Sequence, residues 1–134
     1  MPRNITQAVH LPAPPARLYR MYLDAKSHAA FTGAPVTIAA RPGAAFKAFG
    51  GALSGTILHL VPNRLIVQSW RSTHFGKRDL DSTLILSFWP EKGGGRIELT
   101  HVNVADRDFA GVSEGWPKYY WLPWRNYLEG RRRR

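Results

Sequence analysis

The 134-residue sequence contains no cysteine, no long hydrophobic run and about half as many acidic as basic residues. The absence of cysteine excludes a disulfide scaffold, thiol catalysis and cysteine-ligated zinc or iron–sulfur sites. The longest uncharged run, residues 48–63, contains glycines and a proline, whereas a membrane span needs about 20 apolar residues. Residues 1–11 lack the continuous apolar core of a secretory signal, so we expect a cytoplasmic protein without a membrane span.

The length and composition are typical of one globular domain. Hydrophobic residues make up 44% of the chain and charged residues 21%, which disfavours disorder. A domain usually has about 100–150 residues. We therefore expect a single domain over residues 1–130 and a basic tail over residues 131–134.

The net charge of +10 is partly concentrated at the C-terminus. Four arginines occupy positions 131–134, and without them 15 basic and 9 acidic residues leave +6. Such a terminus is typical of a solvated, frayed end, with weak attraction to polyanions as the alternative. Specific nucleic-acid binding needs a stripe of base-reading or stacking groups, so we expect no specific nucleic-acid partner.

The hydrophobic pattern predicts helices on both sides of a run of short strands. Residues 4–11 predict an opening strand, and residues 16–24 and 25–31 predict two short helices. Segments rich in β-branched and aromatic residues, separated by turn residues, predict six further strands at 36–40, 45–49, 54–61, 65–71, 82–89 and 96–104. Residues 114–129 predict a long terminal helix that bends at Pro123.

This order of elements predicts an α+β fold. One apolar sheet face and one apolar helix stripe are both buried when the sheet wraps around the helix. We therefore expect a helix-grip fold, with a curved antiparallel sheet around the long C-terminal helix and two short helices after the first strand. A gap between sheet and helix is the expected functional feature.

Several segments resemble one known family. They are AFTG (30–33), GG (50–51), GTIL (55–58), PNRLIVQSWR (62–71), IELTH (97–101) and GWPKYYWLPWRNYL (115–128). In this order they are similar to the bacterial homologues of the activators of the heat-shock-protein-90 ATPase, within the START-like (SRPBCC) superfamily. The resemblance implies a helix-grip fold with a hydrophobic cavity between the sheet and the C-terminal helix.

The resemblance implies less about function. Superfamily members include lipid carriers, hormone and polyketide binders, and cyclases or dehydratases, so the fold does not choose among them. The chaperone activators make their principal chaperone contacts through a separate N-terminal domain. A chaperone contact is therefore left open as a partner hypothesis, without ATPase stimulation.

An aromatic stripe supplies the strongest candidates for the cavity wall. Trp116, Tyr120, Trp124 and Tyr127 follow steps of 4, 4 and 3 residues and share one helix face. Four large rings are difficult to pack against without leaving irregular space. The opposite wall is assigned to three phenylalanines, Phe31, Phe46 and Phe49. Plain core packing is the alternative for the stripe.

His101 is the most interesting titratable residue. Strand alternation puts it on one face with Ile97 and Leu99, where a neutral imidazole could hydrogen-bond a ligand or act as acid or base. The alternative is a core histidine satisfied by a neighbour. Trp70 and Arg71 lie on opposite faces of one strand, where Trp70 could form cavity wall or outer surface and Arg71 could clamp a ligand carboxylate bidentately. Their alternative is a core aromatic residue beside an exposed arginine.

Other patterns carry less chemistry. The five histidines have no metal-binding spacing, and the glycines at 93–95 lack the lysine of a phosphate-binding loop, so we expect neither metal nor cofactor. Asp106 and Asp108 are interpreted as turn-forming or helix-capping residues. Ile85 and Trp89 lie on the reverse face from Leu84, and an apolar reverse face suggests a protein contact such as a homodimer.

Three functional hypotheses follow. The leading one is a noncatalytic protein that binds a small hydrophobic or aromatic molecule, oriented by His101 and a tyrosine hydroxyl. The second is an enzyme of cyclase or dehydratase type, using the same cavity with His101 as acid or base. The third is an interaction module that docks a partner through Ile85 and Trp89.

Overall fold

The computed structural model describes residues 2–132, where seven strands form one antiparallel sheet in the order β1-β7-β6-β5-β4-β3-β2. The strands are β1 Arg3–Leu11, β2 Val36–Thr37, β3 Ala45–Ala48, β4 Leu53–Val61, β5 Leu65–Ser72, β6 Ser82–Glu91 and β7 Gly94–Val104. The helices are α1 Pro15–Leu23, α2 Ala25–Thr32, α3 Phe109–Trp116 and α4 Leu122–Arg132. A 3₁₀ turn, Asp106–Asp108, precedes α3, and a π turn, Pro117–Trp121, joins α3 to α4.

The predicted element order and the helix-grip fold class are confirmed. Most boundaries lie within two residues of the prediction, and two of the larger differences have a local cause. β2 ends at Thr37 rather than at residue 40, because the chain turns where the Arg41 amide donates to Ala39 O over 2.9 Å. The terminal helical region begins at Phe109, five residues before the predicted start. Gly111 and Gly115 lower the helix propensity of this segment, and the sequence pattern therefore did not predict the helix start at Phe109.

The concave sheet face carries the core. On β7, Ile97, Leu99 and His101 are all buried, as the strand alternation predicted. On β6, Leu84, Leu86 and Phe88 are fully buried on the same side. The helices cover this face, so the inward residues of the central strands pack against the C-terminal helical region.

Glycine and asparagine are needed at two sharp features of the sheet. Asn63 adopts a left-handed φ of 64° in the β4–β5 hairpin, where the Arg64 amide donates to Val61 O. A Cβ on Gly94 would lie 2.1 Å from Leu11 O, so the start of β7 can approach the end of β1 only without a side chain there. The glycine run at 93–95 therefore has a packing role.

The π turn results from a proline in the helix. Pro117 has no N–H to donate to Ser113 O, four residues earlier. The side chain of Gln7 on β1 supplies the missing hydrogen bond, since its Nε2 donates to Ser113 O over 2.8 Å. Its Oε1 accepts from Nε1 of Trp121 over 2.8 Å. Pro123 then falls in the first turn of α4, where a missing N–H is tolerated.

The wider turn adds Trp121 to the buried stripe and moves its end from Tyr127 to Leu128, while Trp124 is buried as predicted. Trp116 and Tyr120 are buried as predicted, but Trp121 is buried directly after them. The stripe then continues through Trp124 and Leu128. The predicted stripe assumed 3.6 residues per turn throughout, and the π turn adds one residue to that count.

The C-terminal end of the chain extends the helix. α4 continues to Arg132, so half of the predicted tail at 131–134 is helical. Arg133 and Arg134 lie outside the described residues. None of the helices found in residues 2–132 is long and apolar enough to cross a membrane.

Candidate functional site

An open pocket of about 480 Å³ lies between the sheet and the first half of the C-terminal helical region. Its walls are the β3–β4 turn, the end of β5 with its following loop, α3 and the π turn. The lining residues are Phe49, Ala52, Leu53, Trp70, Ser72, Thr73, His74, Asp108, Gly111, Val112, Gly115, Trp116, Tyr119 and Tyr120. Thr73, His74 and Tyr119 are exposed at the mouth, whereas Trp70 and Trp116 are buried at the floor.

Aromatic rings form most of the wall. The ring centroids of Trp116 and Tyr120 are 4.8 Å apart, and those of Trp70 and Trp116 are 6.5 Å apart. At the mouth, Phe49 lies 5.7 Å from Tyr119. Phe49 has a φ of 51°, a left-handed value that is unfavourable for a residue with a large side chain. The rings provide apolar and polarisable contact surface for a bound molecule.

One carboxylate lies in this aromatic wall. Asp108 directly precedes α3 and is only 8% exposed. The hydroxyl of Ser72, at the end of β5, donates to its Oδ2 over 2.5 Å. The same hydroxyl oxygen accepts from the His74 amide over 3.1 Å. The polar part of the pocket therefore joins the sheet to the start of the helix.

His101 lies behind the pocket wall rather than on it. Ser82 donates its hydroxyl proton to Trp70 O over 2.6 Å, so its oxygen accepts from Nε2–H of His101 over 2.8 Å. Nδ1 of His101 then accepts from Nε1–H of Trp116 over 3.2 Å. Both imidazole nitrogens are occupied, which fixes the neutral Nε2–H tautomer.

The environment of His101 keeps it neutral. Burial lowers the pKa of the imidazole from its usual value of 6.5 to about 3. Both nitrogens are bonded inside the protein, so a ligand contact or proton transfer by His101, as predicted from the sequence, would first require one of these bonds to break. Its function in the structure is to position Trp116, which does line the pocket.

A second buried histidine holds the other main ring of the wall. His28 donates through Nδ1 to Tyr22 O over 2.7 Å, so its Nε2 accepts from the Tyr120 hydroxyl over 2.8 Å. Burial lowers the pKa of His28 to about 4, against an opposing effect of the hydrogen bond to Tyr22 O. Burial also raises the pKa of the Tyr120 hydroxyl well above its usual value. The hydroxyl of Tyr120 is thus already bonded inside the protein, whereas Tyr119 is the other tyrosine that lines the pocket.

Four predicted wall residues lie on the pocket, namely Phe49, Trp70, Trp116 and Tyr120. Three others, Phe31, Phe46 and Trp124, are in the packed core instead. Phe31 stacks on Trp124 at 4.1 Å with an angle of 6° between the rings, because α2 packs against α4. Phe46 is 1% exposed and packs 6.3 Å from the ring of His28.

Two further predicted residues are also away from the pocket. Tyr127 is half-buried on α4 and packs against the core, on a face displaced by the π turn. Arg71 lies on the opposite strand face from Trp70. Its guanidinium donates to Asp81 Oδ1 over 2.5 Å and to Gly76 O over 2.9 Å. Arg71 therefore holds the β5–β6 loop in place, and the guanidinium predicted to clamp a ligand carboxylate is bonded within the protein and does not line the pocket.

Sequence reasoning missed the polar residues of the pocket. Asp108 was expected to form a turn or cap a helix, and it stands at the capping position of α3 but makes no side-chain cap bond. Its partner Ser72 is 36 residues away, so no local pattern connects them. Tyr119 also lines the pocket, directly before a predicted stripe residue. Within residues 2–132, no three His, Asp or Glu residues are grouped closely enough to hold a metal ion.

Comparison with known proteins identifies related chains. The chain is 29% identical over 106 residues to the human activator of 90 kDa heat shock protein ATPase homolog 1, covering 79% of this chain and 31% of that protein. An HSP90 activator from Plasmodium falciparum has a similar structure, with a TM-score of 0.81, 19% identity and coverage of 95% and 96%. The Aha1 dimer from Colwellia psychrerythraea has a TM-score of 0.79, 17% identity and coverage of 95% and 96%.

The family assignment rests on a match over most of the chain. The match to the human protein, like those to the other curated relatives, spans only about a third of the relative's length or less. The family model for Activator of Hsp90 ATPase homolog 1-like proteins, in contrast, matches residues 12–122, which include six of the seven strands, the residues that line the pocket and the π turn. This chain, with its START-like helix-grip fold, therefore belongs to the family of Activator of Hsp90 ATPase homolog 1-like proteins.

Proposed function

We propose that this protein binds a small apolar or aromatic molecule in the pocket between the sheet and α3. The observation that carries the proposal is an open volume of about 480 Å³ walled by aromatic rings. Small-molecule sites are typically concave, mostly apolar and roughly 300–1,000 Å³ in size. The ATPase activation in the name of the human relative belongs to a protein of which the match covers 31%, and it is not part of this proposal.

The preorganised wall supports binding. Trp116 is held by His101, and Tyr120 is held by His28, so two of the principal rings have fixed positions before a ligand arrives. A wall that is already ordered loses little side-chain entropy on binding. The cyclase or dehydratase alternative depended on proton transfer by His101, which has no free nitrogen for it.

Titration with a neutral fluorescent probe tests the proposal. Prodan, a small uncharged naphthalene, is expected to bind saturably with a blue-shifted emission. Gly115→Leu is expected to weaken binding at least tenfold, because Gly115 lines the pocket and a Cβ there has only ordinary contacts, 3.5 Å from the Tyr119 ring.

Gly130→Leu is the matched control. Gly130 also lies in a helix, is exposed and has nothing within 4 Å of the added Cβ. Both substitutions replace a helical glycine and raise helix propensity by up to about 1 kcal/mol. Equal binding by the two variants, or no saturable binding by the native protein, would contradict the proposal.

A second candidate function is self-association through the outer sheet face. Leu58, Val61 and Trp89 are exposed by 49%, 39% and 42%. This extent of apolar exposure on β4 and β6, the two strands that flank β5, is typical of a contact surface. A structural relative from Colwellia psychrerythraea is described as a dimer, which supports the same interpretation.

Analytical ultracentrifugation over a range of concentrations tests this second candidate. A concentration-dependent dimer is expected, and Trp89→Lys is expected to shift it to monomer. Leu80→Lys is the control, because Leu80 is 77% exposed but lies in the β5–β6 loop away from this face. A native protein that stays monomeric at all concentrations rules out the self-association.

A further inference from the structure

We propose that the pocket selects molecules that carry a protonated amine on an apolar or aromatic body, and that the carboxylate of Asp108 binds the ammonium group. The inference rests on the proposed binding function and adds the charge class of the ligand. The main argument is that Asp108 is a buried carboxylate in the pocket wall without a counterion.

The two charged neighbours of Asp108 both have partners. Asp106 forms an ion pair with Arg3, with 3.2 Å between Nε and Oδ1. Arg107 pairs with Asp79 at 3.4 Å. In the described part of the chain no ion pair reaches Asp108, and its hydrogen bond comes from a neutral hydroxyl, that of Ser72. Of three consecutive charged residues, the most buried one is therefore the one without an opposite charge.

This is unusual in a protein with a net charge of +10. Buried charges are normally paired, because leaving water without a partner is unfavourable. The Ser72 bond uses Oδ2, which leaves Oδ1 able to accept further hydrogen bonds. Oδ1 lies on the pocket side of α3, since a Cβ on the pocket residue Gly111 would be 3.2 Å from it. The free acceptor and the open volume are therefore adjacent.

The position at the start of a helix explains why the free protein tolerates this charge. The N-terminal end of a helix carries a partial positive charge that favours a carboxylate. Asp108 makes no side-chain cap bond to α3, so its acceptor capacity is not used by the helix. The carboxylate is thus stable without a ligand and still available to one.

The rest of the wall suits a cation and disfavours an anion. Faces of Trp and Tyr attract an ammonium group within about 6 Å of the ring centroid. Trp70, Trp116, Tyr119 and Tyr120 line the same pocket as Asp108. Among the lining residues there is no lysine or arginine that could neutralise a bound carboxylate or phosphate. A ligand with an apolar ring and an amine would use both parts of this wall.

Three naphthalene probes of similar size separate the effect of ligand charge from that of apolar fit. They are 2-(1-naphthyl)ethylamine, 2-(1-naphthyl)ethanol and 1-naphthylacetic acid, which at pH 7.5 are cationic, neutral and anionic. Isothermal titration calorimetry is expected to give the amine at least tenfold tighter binding than the alcohol, and the acid the weakest binding.

Two variants test whether Asp108 is the cause. Asp108→Asn removes the charge but keeps an oxygen that can accept from Ser72, and it is expected to reduce the amine-to-alcohol affinity ratio to about one. Ser72→Ala removes the hydrogen bond but keeps the charge, and it is expected to preserve the ratio. Since each ratio is measured within one variant, a general loss of stability affects both probes alike.

Each outcome is decisive. Equal binding of amine and alcohol by the native protein, or an unchanged ratio in Asp108→Asn, would overturn amine selection while leaving the proposed binding function intact. Tighter binding of the acid than of the amine would also overturn it. If none of the three probes binds, the proposed pocket function itself is wrong, and amine selection is rejected with it.

Discussion

The indole Nε1–H of Trp116 donates to Nδ1 of His101, and this 3.2 Å bond joins the pocket wall to the interior of the sheet. His101 in turn donates to Ser82, whose hydroxyl donates to the backbone of β5. A helix residue is therefore fixed by a chain of hydrogen bonds that ends in the sheet. Such a chain lets a ring beside an open pocket keep one orientation.

Trp116→Phe is expected to lower the free energy of unfolding by about 2 kcal/mol. The substitution keeps an aromatic ring but leaves Nδ1 of His101 as a buried acceptor without a donor, which costs roughly 1–3 kcal/mol. Urea unfolding measures the change. Trp89→Phe is the control, because the exposed indole of Trp89 donates to Ser87 near solvent and its loss should change stability by less than about 0.5 kcal/mol. Equal losses of unfolding free energy in the two variants would mean that the buried hydrogen bond stabilises the protein no more than the exposed one.

The two buried histidines predict a decrease in stability at acid pH. Their folded-state pKa values, about 3 for His101 and about 4 for His28, lie below the unfolded value of 6.5. Between pH 6.5 and 4 the unfolded chain binds more protons than the folded one, so the free energy of unfolding falls as pH decreases. Each histidine contributes up to about 1.4 kcal/mol per pH unit in this window, and the contribution is fully present above pH 6.5.

Urea unfolding at pH 7, 6, 5 and 4.5 measures this dependence. His101→Gln and His28→Gln are each expected to reduce the slope below pH 6 by about half, whatever their effect on stability at pH 7. A free energy of unfolding that stays constant from pH 7 to pH 5 would show that these imidazoles titrate normally in the folded protein.

Most of the fold could be predicted because its signals are local. Alternation with a period of two identified Ile97, Leu99 and His101 as inward residues, and all three are buried. Helical spacing found Trp116 and Tyr120 in the same way. These patterns need only neighbouring residues, and each reports which side of an element is apolar.

The pocket could be predicted only in part because its polar residues, and the hydrogen bond that supports the π turn in its wall, come together from distant parts of the chain. Ser72 and Asp108 are 36 residues apart, and Gln7 meets the carbonyl of Ser113 across 106 residues. The π turn changes the helical phase, which moves Tyr127 aside and brings Trp121 inward. Pro117 was the local signal for this turn, but the acceptor it leaves free is satisfied by a residue on β1.

Gln7→Leu is expected to destabilise the protein by about 2 kcal/mol. The change leaves Ser113 O and the indole N–H of Trp121 without partners, and an unsatisfied partly buried group costs on the order of 1 kcal/mol or more. Pro117→Ala supplies an N–H that can reach Ser113 O. In a double-mutant cycle we therefore expect Gln7→Leu to cost about 1 kcal/mol less when Pro117 is already alanine. Strictly additive effects would indicate that Gln7 does not compensate for the proline.

At position 49, at the mouth of the pocket, we expect a glycine variant to be more stable than an alanine variant, which is the reverse of the usual order. Phe49 has a φ of 51°, where a residue with a Cβ costs roughly 1 kcal/mol relative to glycine. Both Phe49→Gly and Phe49→Ala remove the ring that packs on Tyr119, so their difference isolates the backbone. Thermal unfolding is expected to show the glycine variant as more stable than the alanine variant by about 1 kcal/mol.

Leu53 provides the opposite case at the same pocket. It lines the wall from β4, where it pairs with Ser72 in regular strand geometry. Glycine in a strand is less stable than alanine by roughly 0.5–1 kcal/mol. We therefore expect Leu53→Ala to be more stable than Leu53→Gly. If alanine is better at both positions, Phe49 is not strained. If the preference reverses as expected, the fold accepts an unfavourable backbone conformation to place an aromatic ring at the mouth of the pocket, which agrees with a binding role for that ring.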